Sequence, residues 1–373
     1  MKPQAAGVAI PEEKLLRRSG PRRGWRVAIV LLLLAAGGQI LVRSQAAKPQ
    51  PIDNIELVKV VTLQDRTGQL PVSSFSVIPA GDGFLVVARK RDRVLVFDRG
   101  GRLRTTLTTP QGKPFAVVGA ILPAGGGSFV VHDARAGLLY PVSRDLKVGE
   151  PIALTLNPSL AMATGDFVVA EQIRSTALAG FPVHLIDRSG RIVRSFGTEN
   201  PELGSDTRLL TDRIVGKGLG ETIWSAPPGR YVLEKWAPRS GTRLARVPVR
   251  STWFQESGRI PTDENIRPGP ILLTLWEDRE CLWVLIRDAD LLWKPPAAPN
   301  IERPFDVIRH GQAYDWILEA VNPLTGEVLA SMRSKEPVWG RSPSPYFVIS
   351  SQDAPAEYDV VRPQLNNKVR RMP

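Results

Sequence analysis

From residue 55 onward the chain is dominated by short runs in which apolar and polar residues alternate. The clearest is Arg93-Val94-Leu95-Val96-Phe97-Asp98-Arg99-Gly100-Gly101-Arg102-Leu103-Arg104-Thr105-Thr106-Leu107. Val94 and Val96, then Leu103, Thr105 and Leu107, recur at a period of two, the spacing of a half-buried strand. The Asp-x-x-Gly connection between them suits a hairpin on a type I turn, with glycine supplying a positive φ. The spacing predicts paired strands over 94–98 and 103–107.

Related stretches recur along the chain. Strands are expected at 75–78 and 84–88 ahead of that hairpin, and the same order repeats at 116–122, 129–132, 138–142 and 151–156. In this second unit the turn has degenerated to Ser143-Arg144-Asp145-Leu146-Lys147. The third unit reads 160–163, 167–170, 183–187 and 191–196. The fourth reads 212–215, 222–224, 231–236 and 242–249, and the fifth 271–276, 281–286, 315–321 and 327–332. Turn glycines at Gly101, Gly190, Gly241 and Gly326 are spaced by two periods of about 44 residues, then one period with a small insertion, then one carrying a longer insertion. The segment 291–312, punctuated by Pro295, Pro296, Pro299 and Pro304, reads as an inserted loop. Strands at 346–350 and 357–361 lack an outer partner, and 55–63 is a strand without a unit of its own.

Four short strands per repeat at this period point to β-propeller blades. The expectation is an all-β, six-bladed β-propeller over 55–365, its ring closed by pairing the first strand with the last blade, which removes an exposed edge. An open array of two β-sandwiches is the alternative architecture. Nothing of helical length and period follows residue 47, which argues against an α/β enzyme fold.

The net charge of +12 suggests a nucleic-acid partner until its distribution is read. Residues 1–46 carry eight Lys or Arg against Glu12 and Glu13, half of the whole excess, so the body is only mildly basic. A basic segment ending at Arg26 precedes an apolar run over 27–42, followed by Ser44-Gln45-Ala46. Residues 1–46 read as a cleaved signal peptide or an uncleaved signal anchor, whose apolar run is expected to form a hydrophobic helix ahead of the propeller in either case. Both place the positive flank in the cytoplasm and the body outside it, periplasmic or held at the inner membrane. Residues 47–54 read as a linker and 366–373 as a basic tail. Cys281 is the single cysteine, so no intramolecular disulfide forms, and its apolar context predicts a buried side chain. Export makes nucleic-acid binding improbable, and a monomer is expected.

The units resemble the six-bladed propellers of the NHL and TolB-like group, and are similar to exported bacterial six-bladed propeller proteins of unassigned function. Glu221-Thr222-Ile223-Trp224-Ser225 with Tyr231-Val232-Leu233-Glu234-Lys235-Trp236, the Asp-x-x-Gly hairpins and Tyr358-Asp359-Val360-Val361-Arg362-Pro363 carry the resemblance. It implies architecture more than activity. Because such propellers include metal-dependent lactonases and phosphotriesterases, it also implies one enzymatic alternative, with a calcium or zinc ion in the central channel.

The comparable positions just after each second strand are Arg89, Asp133, Glu171, Ala226, Arg287 with Asp288, and Ser351. Three acids occur, Asp133, Glu171 and Asp288, but Arg89 and Arg287 share the ring and would repel a divalent cation. A mixed-charge rim without a cofactor is the expectation, with His132 beside Asp133 the histidine best placed to join it. His184 and His310 lack ligand spacing, and HExxH, G-x-S-x-G and Walker A patterns are absent. Gly216-Lys217-Gly218-Leu219-Gly220 precedes a strand, so it reads as a hairpin turn and not a phosphate loop. Trp253, Trp293 and Trp339 lie in loops or near prolines, where aromatics suit contact with protein, peptide or glycan. The reading is a non-enzymatic binding or scaffold propeller of the cell envelope, attached to the membrane if its leader is uncleaved.

Overall fold

The computed structural model describes residues 54–65, 68–70, 76–154, 159–162, 166–170, 181–197, 213–256, 267–290, 293, 314–335, 344–350 and 357–366. All of them belong to the compact unit Pro49–Pro373. The leader and the hydrophobic helix expected in it, the linker up to residue 53 and the tail from 367 lie outside the described residues. Among the described residues no helix is long and apolar enough to cross a membrane.

The alternating runs are strands. After β1 (Ile55–Gln64) come β2 (Ser76–Ala80), β3 (Gly83–Val87), β4 (Val94–Asp98) and β5 (Leu103–Leu107). The second group is β6 (Val118–Gly125), β7 (Ser128–Asp133), β8 (Leu138–Val142) and β9 (Ile152–Ala153). The third is β10 (Ser159–Met162), β11 (Phe167–Ala170), β12 (Val183–Ile186) and β13 (Ile192–Phe196). The fourth is β14 (Ile214–Lys217), β15 (Ile223–Ala226), β16 (Val232–Ala237) and β17 (Thr242–Pro248). The fifth is β18 (Ile271–Glu277), β19 (Leu282–Ala289), β20 (Tyr314–Val321) and β21 (Val328–Ser334), and β22 (Tyr346–Ser350) and β23 (Glu357–Leu365) follow.

Each of the second to fifth groups is one antiparallel up-and-down sheet in chain order. The fold is an all-β propeller, but among the described residues the separate four-stranded blades number four, not six. The remaining strands run together as one seven-stranded sheet, in the order β1-β23-β22-β2-β3-β4-β5. The cause is a short ladder in which Ser76 and Val77 of β2 face Phe347 and Tyr346 of β22. It joins the first group edge to edge with the closing strands. The expected partner of the first strand is found: β1 pairs with β23 from Ile55 opposite Leu365 to Gln64 opposite Glu357.

Sheet faces pack on one another through apolar clusters. Leu63, Val348 and Val360 of the closing strands meet Phe84, Val86 and Leu95 of the first group. Phe347 and Val361 meet Trp276, Trp283 and Leu285 of the fifth. Gripped on both sides, the closing strands complete the ring. Inner strands are therefore buried on both faces and read as apolar runs: every residue of β19 except Arg287 is buried. The outermost β17 is mostly exposed. Trp224, Trp283 and Trp316 are the largest fully buried side chains, and truncating one such residue to Ala typically costs about 3–5 kcal/mol.

The up-and-down order gives the ring two ends. Connections from first to second and from third to fourth strand share a turn end, where Gly101, Gly190, Gly241 and Gly326 all have positive φ. In the second group Leu146 takes that place at φ 64, and its N–H bonds the Ser143 carbonyl as Gly101 bonds that of Asp98. The degenerate turn thus keeps the conformation without the glycine. Asp98, Asp187 and Asn322 accept backbone N–H bonds within their turns. Their side chains serve turn geometry. The connections from second to third strand lie at the opposite, loop end.

Candidate functional site

Of the positions expected just after the second strands, Arg89 follows β3, whereas Asp133 ends β7 and Arg287 and Asp288 lie within the last residues of β19; all are at the loop end, and their side chains have different surroundings. Arg89 is exposed, its backbone N–H bonded to the Gln69 carbonyl at 2.7 Å. Asp133 is buried, and backbone donors occupy its carboxylate: Ala116 N–H at 2.6 Å on Oδ2, Val117 at 3.0 Å and Ala136 at 3.1 Å on Oδ1. These bonds tie the second group's loops to the end of β7.

His132 lies between Ala120 and Leu139 on the neighbouring strands, 2% exposed, and its Nε2 has no hydrogen-bond partner. Burial lowers its pKa to about 4. The Asp133 charge opposes that shift, and nearby Arg91 reinforces it. The imidazole is neutral at pH 7. Arg91 itself, at φ 58, reaches across to the Val118 carbonyl at 3.0 Å.

The fifth group carries a denser set of charges. Asp288 and Asp315 face each other across β19 and β20, and both are buried, as is Asp290. Arg333 donates from Nε to Asp315 at 2.5 Å and from Nη2 to Asp288 at 3.2 Å. Lys335 pairs with Asp315 at 2.8 Å and with Asp290, and Arg267 approaches Asp288 at 3.8 Å. The three carboxylates are matched by three cations, so this cluster is internally compensated.

Arg287 belongs to none of these pairs. It sits opposite Trp316, and its guanidinium lies over the Tyr314 ring at 4.6 Å. Nε is buried without an acceptor, and burial lowers the pKa of the group, with Tyr314 opposing.

The loop aromatics divide. Trp253 is half-buried, and its indole N–H donates to Glu319 Oε1 at 2.9 Å, while Tyr231 Oη donates to Oε2 at 2.6 Å. Glu319 is 1% exposed, and burial raises its pKa against the pull of both donors. Trp253 thus anchors the link between the fourth and fifth groups. Trp293 is half-buried, its backbone N–H bonded to the Asp290 carbonyl at 3.0 Å. Glu171 and Trp339 lie outside the described residues.

Sequence reasoning passed over Glu319, Asp315, Arg333 and Lys335. Glu319 left one trace, a single charge inside the apolar run Trp316-Ile317-Leu318-Glu319-Ala320-Val321. Among the described residues no three His, Cys, Asp or Glu side chains gather closely enough to hold a metal ion. The calcium or zinc alternative also finds poor donors here, because the oxygens of Asp133 and Asp288 already accept backbone and arginine hydrogens.

No protein-family profile matches the sequence, and no curated protein does. Solved structures share the fold. A member of the DUF4221 family from Bacteroides vulgatus aligns at TM-score 0.54 and 12% identity, over 84% of this chain and 99% of that one. A Bacteroides fragilis protein described as exported aligns at 0.55 and 10%, over 86% and 98%. At these identities the likeness is one of fold.

Proposed function

We propose that the chain is an exported, non-enzymatic binding propeller of the cell envelope that receives a protein, peptide or glycan partner at its loop end. The observation that carries this reading is the state of the loop-end carboxylates. Asp133 accepts three backbone N–H bonds and Asp288 faces arginine, engagements that suit a structural role better than acid–base or metal chemistry. The basic and apolar pattern over 1–46 supports export, and the exported description of one fold relative is consistent with it.

Two measurements test the reading. Alkaline phosphatase joined after residue 373 should be active in cells, whereas an inactive fusion would place the body in the cytoplasm and sink the proposal. The purified protein should carry no stoichiometric calcium or zinc and should melt at the same temperature with and without chelator. A stoichiometric ion lost on Asp133→Ala, together with lactone or phosphotriester hydrolysis, would establish the hydrolase instead.

A further inference from the structure

Arg287 is the least explained charge at the loop end. Every neighbouring cation of the fifth group has a carboxylate: Arg333 and Lys335 share Asp288, Asp290 and Asp315, and Arg267 approaches Asp288. Arg287 follows Ile286 on the same strand, yet its side chain projects to the opposite face from Asp288, as strand alternation requires. On that face it meets an aromatic ring and no acid among the described residues. A partly buried guanidinium without an acceptor costs stability. Swapping it for an apolar residue would remove that cost, so its presence calls for a partner that the described residues do not provide.

We propose that Arg287, its guanidinium over the Tyr314 ring, is an oxyanion-binding group that takes a carboxylate or phosphate of the partner at the loop end. Three features fit it. The guanidinium is planar and presents paired N–H donors suited to two oxygens of one anion. The Tyr314 ring, its centroid 4.6 Å from Cζ, holds the guanidinium beside it by a cation–π contact. The nearby acids that would compete are bound by Arg333, Lys335 and Arg267. The inference rests on the binding reading above and sharpens it: the partner presents an anionic group.

The test titrates the purified full-length chain, at constant ionic strength, with inorganic phosphate and separately with N-acetylglycine, following heat of binding and melting temperature. At least one should bind saturably in the millimolar range and raise the melting temperature, and choline chloride should do neither. Arg287→Gln should weaken that binding at least tenfold while leaving the unliganded protein as stable or more so. Arg287→Lys should weaken it severalfold through loss of the fork, and Tyr314→Leu a few fold. Arg104→Gln, on the exposed β5, serves as control and should change nothing. Absence of saturable binding by both probes in the wild-type chain overturns the inference, as does equal binding by wild type and Arg287→Gln. Wild-type titration decides the question even if a variant fails to fold. Preference between the probes separates a phosphate-bearing from a carboxylate-bearing partner. A chain that is exported and metal-free but indifferent to anions would lose this site and keep the binding reading; a cytoplasmic chain that binds them would do the reverse.

Discussion

A β-carbon on Gly101 would lie 1.9 Å from the carbonyl oxygen of Thr62. The turn between β4 and β5 presses directly on β1, and the Gln64 N–H bonds the Gly101 carbonyl at 3.0 Å. The same approach recurs where Gly190 meets Ala153, at 2.1 Å, and where Gly326 meets Pro248, at 2.2 Å. In each case a third-to-fourth turn leans on the outer strand of the preceding group. Glycine there supplies the positive φ and also the room for backbone to touch backbone.

Gly101→Ala should therefore cost more than the conformational penalty alone. Left-handed backbone costs a non-glycine residue about 1 kcal/mol, and displacement of β1 adds to it, for a total of about 2–4 kcal/mol. Gly81→Ala has a similar φ of 59 and nothing within 4 Å, and should lose only about 1 kcal/mol. Equilibrium urea unfolding of the two variants checks the difference; equal losses would show that the contact with Thr62 is unimportant.

Glu319→Ala should destabilise by about 3 kcal/mol, because Tyr231 and Trp253 lose their acceptor in a buried setting. Glu319→Gln should stay within about 1 kcal/mol of wild type, since its amide oxygen can accept from Trp253 and its NH2 can donate to Tyr231. The carboxyl's pKa is raised on folding, so its contribution is full below its unfolded pKa and is lost as pH rises through the folded value. Glu319→Gln should consequently flatten the fall in stability across that window. Melting temperatures of both proteins between pH 4 and pH 8 provide the check.

His132 has the opposite sign. Its folded pKa, near 4, lies below the unfolded value of 6.5, so the stability it lends is full above the unfolded pKa and is lost as pH falls toward 4. The loss is on the order of 3 kcal/mol. His132→Leu should remove most of this acid sensitivity. Thermal melts at pH 7.5, 5.5 and 4.5 would show it, and an unchanged slope in the variant would assign the sensitivity elsewhere.

Asp133→Asn should cost about 2 kcal/mol. The remaining carbonyl oxygen can still serve Val117 and Ala136, but the new NH2 faces the Ala116 N–H, donor against donor. Metal content should be the same before and after the change. Urea unfolding combined with elemental analysis distinguishes this structural role from ion binding.

Local spacing in the sequence determined the strands and their hairpins, because period-two burial and turn chemistry act over neighbouring residues, and the need to close the ring sent the first strand to the last blade. The hairpin 94–107 was legible to within a residue, and the turn at Leu146 was visible as a variant of it. The number of separate sheets was not: it depended on two backbone pairs, Ser76 with Phe347 and Val77 with Tyr346, between residues far apart in the chain. The loop-end residues divide along the same line. Position after a second strand marked Arg89, Asp133, Arg287 and Asp288, yet spacing cannot say which charges find partners. Tertiary structure gave Asp133 three backbone donors, gave Asp288 an arginine, and left Arg287 with an aromatic face. A charge's chemistry depends on what is packed around it, and packing joins residues that the sequence keeps apart.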